Sequence, residues 1–202
     1  MVDFFVQGGG FMWPILIALL FGLAIVGERA YSLINSSSNT DQFFDDVKTI
    51  YDDSGKEQAI EFCENTQGPV ASIFYAGLSK MEKTKEEIEK AVQNAGGLEM
   101  AFLEKNMIWI NSVITIAPML GFTGTVVGMI KAFEDIKMAN DISPAVVAGG
   151  ISQALLTTAF GLIVAMIMQV AQNFFVSMID KLILDMEEQS IKIVEYLHNS
   201  IK

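Results

Sequence analysis

The sequence predicts an all-α membrane protein with three transmembrane helices, the second and third extended into a cytoplasmic helical bundle. Three uncharged runs carry that prediction. Residues 106–130 and 142–179 hold no charged side chain, and residues 4–27 hold none before the pair Glu28-Arg29. A hydrocarbon core of about 30 Å is crossed by about 20 apolar residues in a helix, so each run is long enough. The composition agrees, with 51% hydrophobic residues beside enough charge for one aqueous segment. The net charge of −11 argues against nucleic acid as a partner, and the single cysteine, Cys63, excludes an internal disulfide.

Residues 1–10 read as an outer interfacial segment, with two Phe suited to lying flat at the membrane surface. Gly8-Gly9-Gly10 breaks the helical pattern, and span one follows over residues 11–34. Trp13 sits at the depth of an interfacial anchor, and Pro14 falls in the first turn, where its missing N–H does no harm. No basic residue precedes the apolar run and no small-residue cleavage site follows it, so the span is expected to be retained. Residues 35–39 form a polar break.

The segment 35–105 reads as short helices. Phe43, Phe44, Val47, Ile50 and Tyr51 recur at helical spacing, followed by a turn over residues 52–55 and a capping box from Ser54 to Glu57. Gly68-Pro69 is a stop signal, residues 70–81 form another helix, and Thr84 with Glu87 forms a second capping box. From Thr84 to Phe133 only Gly96-Gly97 and Pro118 interrupt the pattern. A single helix of about 75 Å is therefore expected to rise from the cytoplasm and become span two, residues 106–133. An outer loop covers 134–143, closed by Ser143 as N-cap and Pro144 at the first helical position. Span three occupies 144–179. With no later proline and no glycine beyond Gly161, it continues as an amphipathic cytoplasmic helix over 180–202, with Ile183, Met186, Ile191, Val194 and Leu197 at its apolar positions.

Lysine and arginine counts set the orientation. Arg29 and Lys48, Lys56, Lys80, Lys83, Lys85, Lys90 and Lys105 lie between spans one and two, and Lys181, Lys192 and Lys202 follow span three. The short segment between spans two and three holds Lys137, with Lys131 at its edge. The middle segment and C-terminus are therefore expected in the cytoplasm and the N-terminus outside.

Function is written in the small residues. In span two, Gly124 and Gly128 form a GxxxG pair, and Gly121 with Thr125 repeats the spacing. Small residues four apart let another helix backbone approach closely. In span three, Gly150, Ala154, Thr157, Gly161 and Ala165 share one face, flanked by Gln153 and Thr158, while Leu156, Ala159, Ile163, Ile167 and Val170 lie opposite. A buried threonine can satisfy its hydroxyl one turn back, so the pattern fits either a tight interface or a hydrated path. No Asp, Glu, His, Lys or Arg lies deep in any span. Hydroxyls and amides orient water but do not titrate near neutral pH, so proton conduction would need a carboxylate from another chain.

The stretches APMLGFTGTVVG (117–128) and GISQALLTTAFGL (150–162) resemble the signature helices of the MotA/TolQ/ExbB proton-channel family, most closely its ExbB/TolQ branch. The resemblance covers essentially the whole chain. It implies a homopentamer in the inner (cytoplasmic) membrane of a Gram-negative bacterium, with a periplasmic N-terminus and a cytoplasmic C-terminus. The ring would surround a dimer of an ExbD/TolR-like single-span partner whose transmembrane Asp carries the proton. Proton flow would drive a periplasm-spanning effector like TonB or TolA, serving outer-membrane transport or envelope integrity. Thr125 and Thr158 match the family's pore-lining threonines, with Thr157 and Gln153 beside them. Gly121, Gly124, Gly128, Gly150 and Gly161 would pack the helices.

One position departs from the family pattern. ExbB and TolQ sequences place a Glu five residues before the span-three threonine, where this chain has Gln153. Gln keeps the hydrogen-bonding capacity but cannot carry a proton. Glu28-Arg29 reads as a structural pair or interfacial anchor at the cytoplasmic end of span one, with a role at the proton exit as the other reading, Cys63 as a packed side chain, and His198 as solvated. No nucleophile arrangement, metal-ligand spacing or cofactor-binding loop stands out, so the chain is expected to be no enzyme and to need no cofactor. Two other readings stand beside the proton motor: a non-conducting oligomeric scaffold, and a sodium-driven motor subunit.

Overall fold

The computed structural model describes residues 2–36, 40–139 and 144–200. Among them the chain is helical between short turns: α1 (Val2–Gln7), α2 (Met12–Ser36), α3 (Thr40–Ser54), α4 (Lys56–Asn65), α5 (Pro69–Ser79), α6 (Lys85–Leu103), α7 (Met107–Ala139) and α8 (Pro144–Ser200). Three helical stretches, carried by α2, α7 and α8, are long and apolar enough to cross a bilayer. This is the all-α membrane architecture read from the sequence. The chain divides into two compact units, residues 1–28 with 106–174, and residues 29–105 with 175–202.

In the first unit the small-residue faces of α7 and α8 meet each other as an antiparallel pair. Gly161 lies against Ala117, Gly121 against Thr157 and Thr158, Gly128 against Ala154, and Gly150 against Ala132. A Cβ on Gly161 would come within 2.5 Å of the Ala117 carbonyl oxygen, so only glycine permits this approach. The outer side of α7 leaves Ile116, Met119, Phe122, Val126, Ile130 and Phe133 exposed at helical spacing. Such a stripe is too apolar to face water and suits lipid or a neighbouring membrane chain.

The second unit has a conventional apolar core. Ile73, Phe74 and Leu78 of α5 are fully buried, as are Ile88 and Val92 of α6 and Ile193 and Leu197 of α8. Phe43, Phe62 and Phe74 cluster, with ring centroids 5.6 and 5.4 Å apart. Cys63 is packed there, and burial pushes its thiol up to about 12. Asp41 of α3 accepts from Lys192 at 2.8 Å and from Gln189 at 2.9 Å, both on α8. These partners hold the Asp41 carboxyl below the usual carboxylate range. Met186, Val194 and Leu197 are buried as the amphipathic pattern predicts, whereas Ile191 is exposed.

Several local expectations are corrected. The helix expected from Thr84 through Phe133 is interrupted by a turn at residues 104–106, where Asn106 adopts φ 64°. Asn tolerates that left-handed conformation better than most residues. Its side-chain amide also donates to Glu28 Oε2 at 3.2 Å. On the other side of the turn, buried Arg29 donates to the carbonyls of Phe102 and Leu103, at 3.4 and 3.3 Å, adding to the Lys105 N–H that the Phe102 carbonyl accepts at 3.2 Å. The helix of span two continues to Ala139, through residues assigned to the outer loop. Ser143, the expected N-cap, lies outside the described residues, as do residues 37–39 of the polar break.

The Ser54 capping box does not form. Gly55 caps α4 at φ 90° with no side-chain hydrogen bond, because that left-handed position admits glycine and leaves Ser54 inside α3. Gly68, at φ 137°, starts α5 with Pro69 in its first turn. The Thr84–Glu87 box forms in both directions.

Candidate functional site

The glycine seam between α7 and α8 leaves room for a small polar cluster. Thr125 on α7 and Thr158 on α8 bring their hydroxyl oxygens into direct hydrogen-bond contact. Thr125 Oγ1 also lies 3.1 Å from the Ala154 carbonyl and 3.3 Å from that of Gly121. Thr158 Oγ1 donates to the Gly121 carbonyl at 3.0 Å. This contact requires the backbone closeness that Gly121 provides, since a Cβ there would meet Thr158 Cα at 3.0 Å. Pro118, one turn earlier on α7, supplies no N–H and so leaves the carbonyl of Ile114 without its helical donor.

Two hydroxyls share their protons among two carbonyls in this cluster, and both threonines are half-buried. Each hydroxyl oxygen has lone pairs left to accept from water or a protonated acid. The cluster can therefore solvate or orient a proton donor, although it cannot itself store a proton.

The other residues singled out in span three turn elsewhere. Thr157 is 1% exposed. Its hydroxyl donates toward the carbonyls of Gly8 at 3.0 Å and Gln153 at 2.9 Å. Gly124 faces Thr157, and a Cβ on it would overlap Thr157 Cγ2 and reach 3.2 Å from Phe11 Cβ. Gln153 is half-buried, with its amide against Gly9, whose φ is 75°. Thus Thr125 and Thr158 come together, while Gln153 and Thr157 receive the turn between α1 and α2. That turn was legible only as a helix break, because three glycines carry no side-chain pattern naming their neighbour.

Glu28 reaches Asn106 in the first unit, and Arg29 reaches the end of α6 in the second. Both act on backbone geometry at the helix break. Among the described residues no cluster of His, Cys, Asp and Glu could hold a metal ion.

Residues 65–188, which include both threonines and the whole glycine seam, match the MotA/TolQ/ExbB proton channel family. The chain is 28% identical over 173 residues to the biopolymer transport protein ExbB-like 3 of Synechocystis, covering 85% of this chain and 82% of that one. It is 28% identical over 180 residues to an ExbB homolog of Methanothermobacter thermautotrophicus, covering 89% of this chain and 64% of that one. It is also similar to the Tol-Pal system protein TolQ of Pseudomonas aeruginosa, 28% identical over 117 residues, 52% of this chain and 51% of that one. With three apolar helices and a family match over most of its length, the chain is a multi-pass membrane protein and belongs to the MotA/TolQ/ExbB proton channel family.

Proposed function

We propose that this chain is an ExbB/TolQ-type subunit of a proton-channel motor in an inner membrane. A homopentamer surrounds a dimer of single-span partners, and a partner carboxylate carries the proton past the Thr125–Thr158 cluster. The observation that carries this reading is the hydroxyl pair itself, set between the carbonyls of Gly121 and Ala154 in helices with no titrating side chain at that depth. An acid arriving from the partner would find acceptors when protonated and a donor when ionised. Each proton crossing the field supplies about 2.3 kcal/mol per 100 mV, enough for a few protons to move one part of the complex against another. The motion is passed to a periplasm-spanning effector of the TonB or TolA kind, serving outer-membrane transport or envelope integrity. The N-terminus is periplasmic and the C-terminus cytoplasmic.

Native mass spectrometry of the purified complex tests the assembly, with a pentamer and a partner dimer expected. Liposomes carrying the complex and a trapped pH dye test the ion. Flux should need the partner and should be unchanged when sodium replaces potassium. A stable monomer, or flux that follows sodium, overturns the reading.

A non-conducting scaffold has one observation in its favour. Gly121, Gly128, Gly150 and Gly161 are all occupied by packing within the chain, as simple helix association would require. Liposomes holding the assembled complex and showing no proton flux under an imposed potential would decide for it.

A further inference from the structure

The three glycines after α1 differ in surroundings. Gly8 is buried and its carbonyl accepts from Thr157. Gly9 is held at φ 75° with Gln153 pressed against the place its side chain would take. Gly10 has open space around it, with no heavy atom within 4 Å of an added Cβ. Phe11, the next residue, reaches Gly124 on α7. A merely flexible linker would show none of this discrimination. The turn fits a specific seat on the small-residue face of α8.

We propose that Gln153 and Thr157 form an intramolecular seat for the Gly8–Gly9 turn, and that the seated turn fixes the rotation of α8 so that Thr158 meets Thr125. Thr157 and Thr158 are adjacent, so on an α-helix their side chains point about 100° apart. Tying Thr157 to Gly8 therefore sets the direction of Thr158, toward Gly121 and Thr125. Gln153 lies one turn before Thr157 and contacts the same turn. It is a positioning residue: it touches the Gly9 backbone and acts on the cluster through Thr157. An amide suits that place better than a carboxylate, which would set a charge against the Gly9 backbone in a low-dielectric setting. The seat is independent of what the threonine cluster conducts, but its effect on flux rests on the proton-channel reading.

The α1 end of the turn has a built-in reporter. Phe5 packs edge-on against Trp13, with ring centroids 5.3 Å apart. In the full chain with Trp109→Phe, assembled with its partner in liposomes, Trp13 is the remaining tryptophan, and its accessibility to a soluble quencher reads docking of α1. Gly9→Ala adds a Cβ at a left-handed residue and against Gln153, and should shift docked to undocked by about 5–30-fold. Trp13 quenching should rise and partner-dependent proton flux should fall with it. Gly10→Ala should change neither. Gln153→Ala removes one of the two side chains that hold the turn and should move both signals in the same direction as Gly9→Ala. Wild-type quenching in Gly9→Ala, or in Gln153→Ala, overturns the seat whatever the flux shows. Raised quenching with flux unchanged overturns its link to Thr158. A wild-type complex without flux removes the channel reading and leaves the quenching arms to decide the seat.

Discussion

Arg29 Nη1 donates to the Leu103 carbonyl at 3.3 Å, and the side chain is only 1% exposed. A buried guanidinium at a helix C-terminus supplies donors to the last carbonyls and complements the helix dipole. Arg29→Ala is expected to cost about 1–3 kcal/mol, the range for leaving buried acceptors unpaired. Arg29→Lys should recover only part, because the ammonium lacks the rigid planar guanidinium that holds Nη1 within reach of both carbonyls. Thermal unfolding of the detergent-solubilised protein checks the order wild type, Lys, Ala.

The glycines separate into those that are needed and those that are not. Gly161→Ala drives a Cβ to 2.5 Å from the Ala117 carbonyl, where only backbone can yield. It should destabilise by about 1–3 kcal/mol, as overpacking does. Gly97 sits inside α6 with nothing within 4 Å of an added Cβ. Gly97→Ala should instead stabilise by about 0.5–1 kcal/mol through helix propensity. Opposite shifts in melting temperature are the expected result.

Asp41 and Lys192 give the second unit a pH signature. The Asp41 carboxyl is held below its ordinary value of 3.8 chiefly by its hydrogen bond from Lys192, whose own pKa is raised. The Asp41 contribution is fully present above the unfolded value and is lost as pH falls through the lowered folded value. The Lys192 contribution is complete below about 10.5 and is lost as pH rises through its raised folded value. Both are intact at neutral pH. The melting-temperature gap between wild type and Asp41→Asn should be widest there and should close in acid, below about pH 4.

The sequence made the large features readable because they depend on composition and period. The three spans follow from uncharged length, the α7–α8 seam from glycine spacing, and the Thr84 cap from Glu87 three residues later. What it concealed depends on tertiary partners. An Asn at φ 64° looks like any helical Asn until Glu28 is seen to hold it. Gln153 and Thr157 lay on the expected face, yet which chain segment meets them is a matter of packing 149 positions away in sequence. Ser54 and Glu57 had the right spacing for a cap, but the backbone turned at Gly55 and took the cap position with it.

The central claim is that the Thr125–Thr158 hydroxyls serve a partner's acid in passing protons. It is tested most directly by partner-dependent proton flux in liposomes for Thr158→Val and Thr158→Ser, with assembly verified by native mass spectrometry. Valine keeps the shape and removes the hydroxyl, and loss of one such hydrogen bond, about 1–3 kcal/mol, should slow flux about 5–150-fold. Serine keeps the hydroxyl and should stay near wild type. Wild-type flux through an intact Thr158→Val complex would contradict the account.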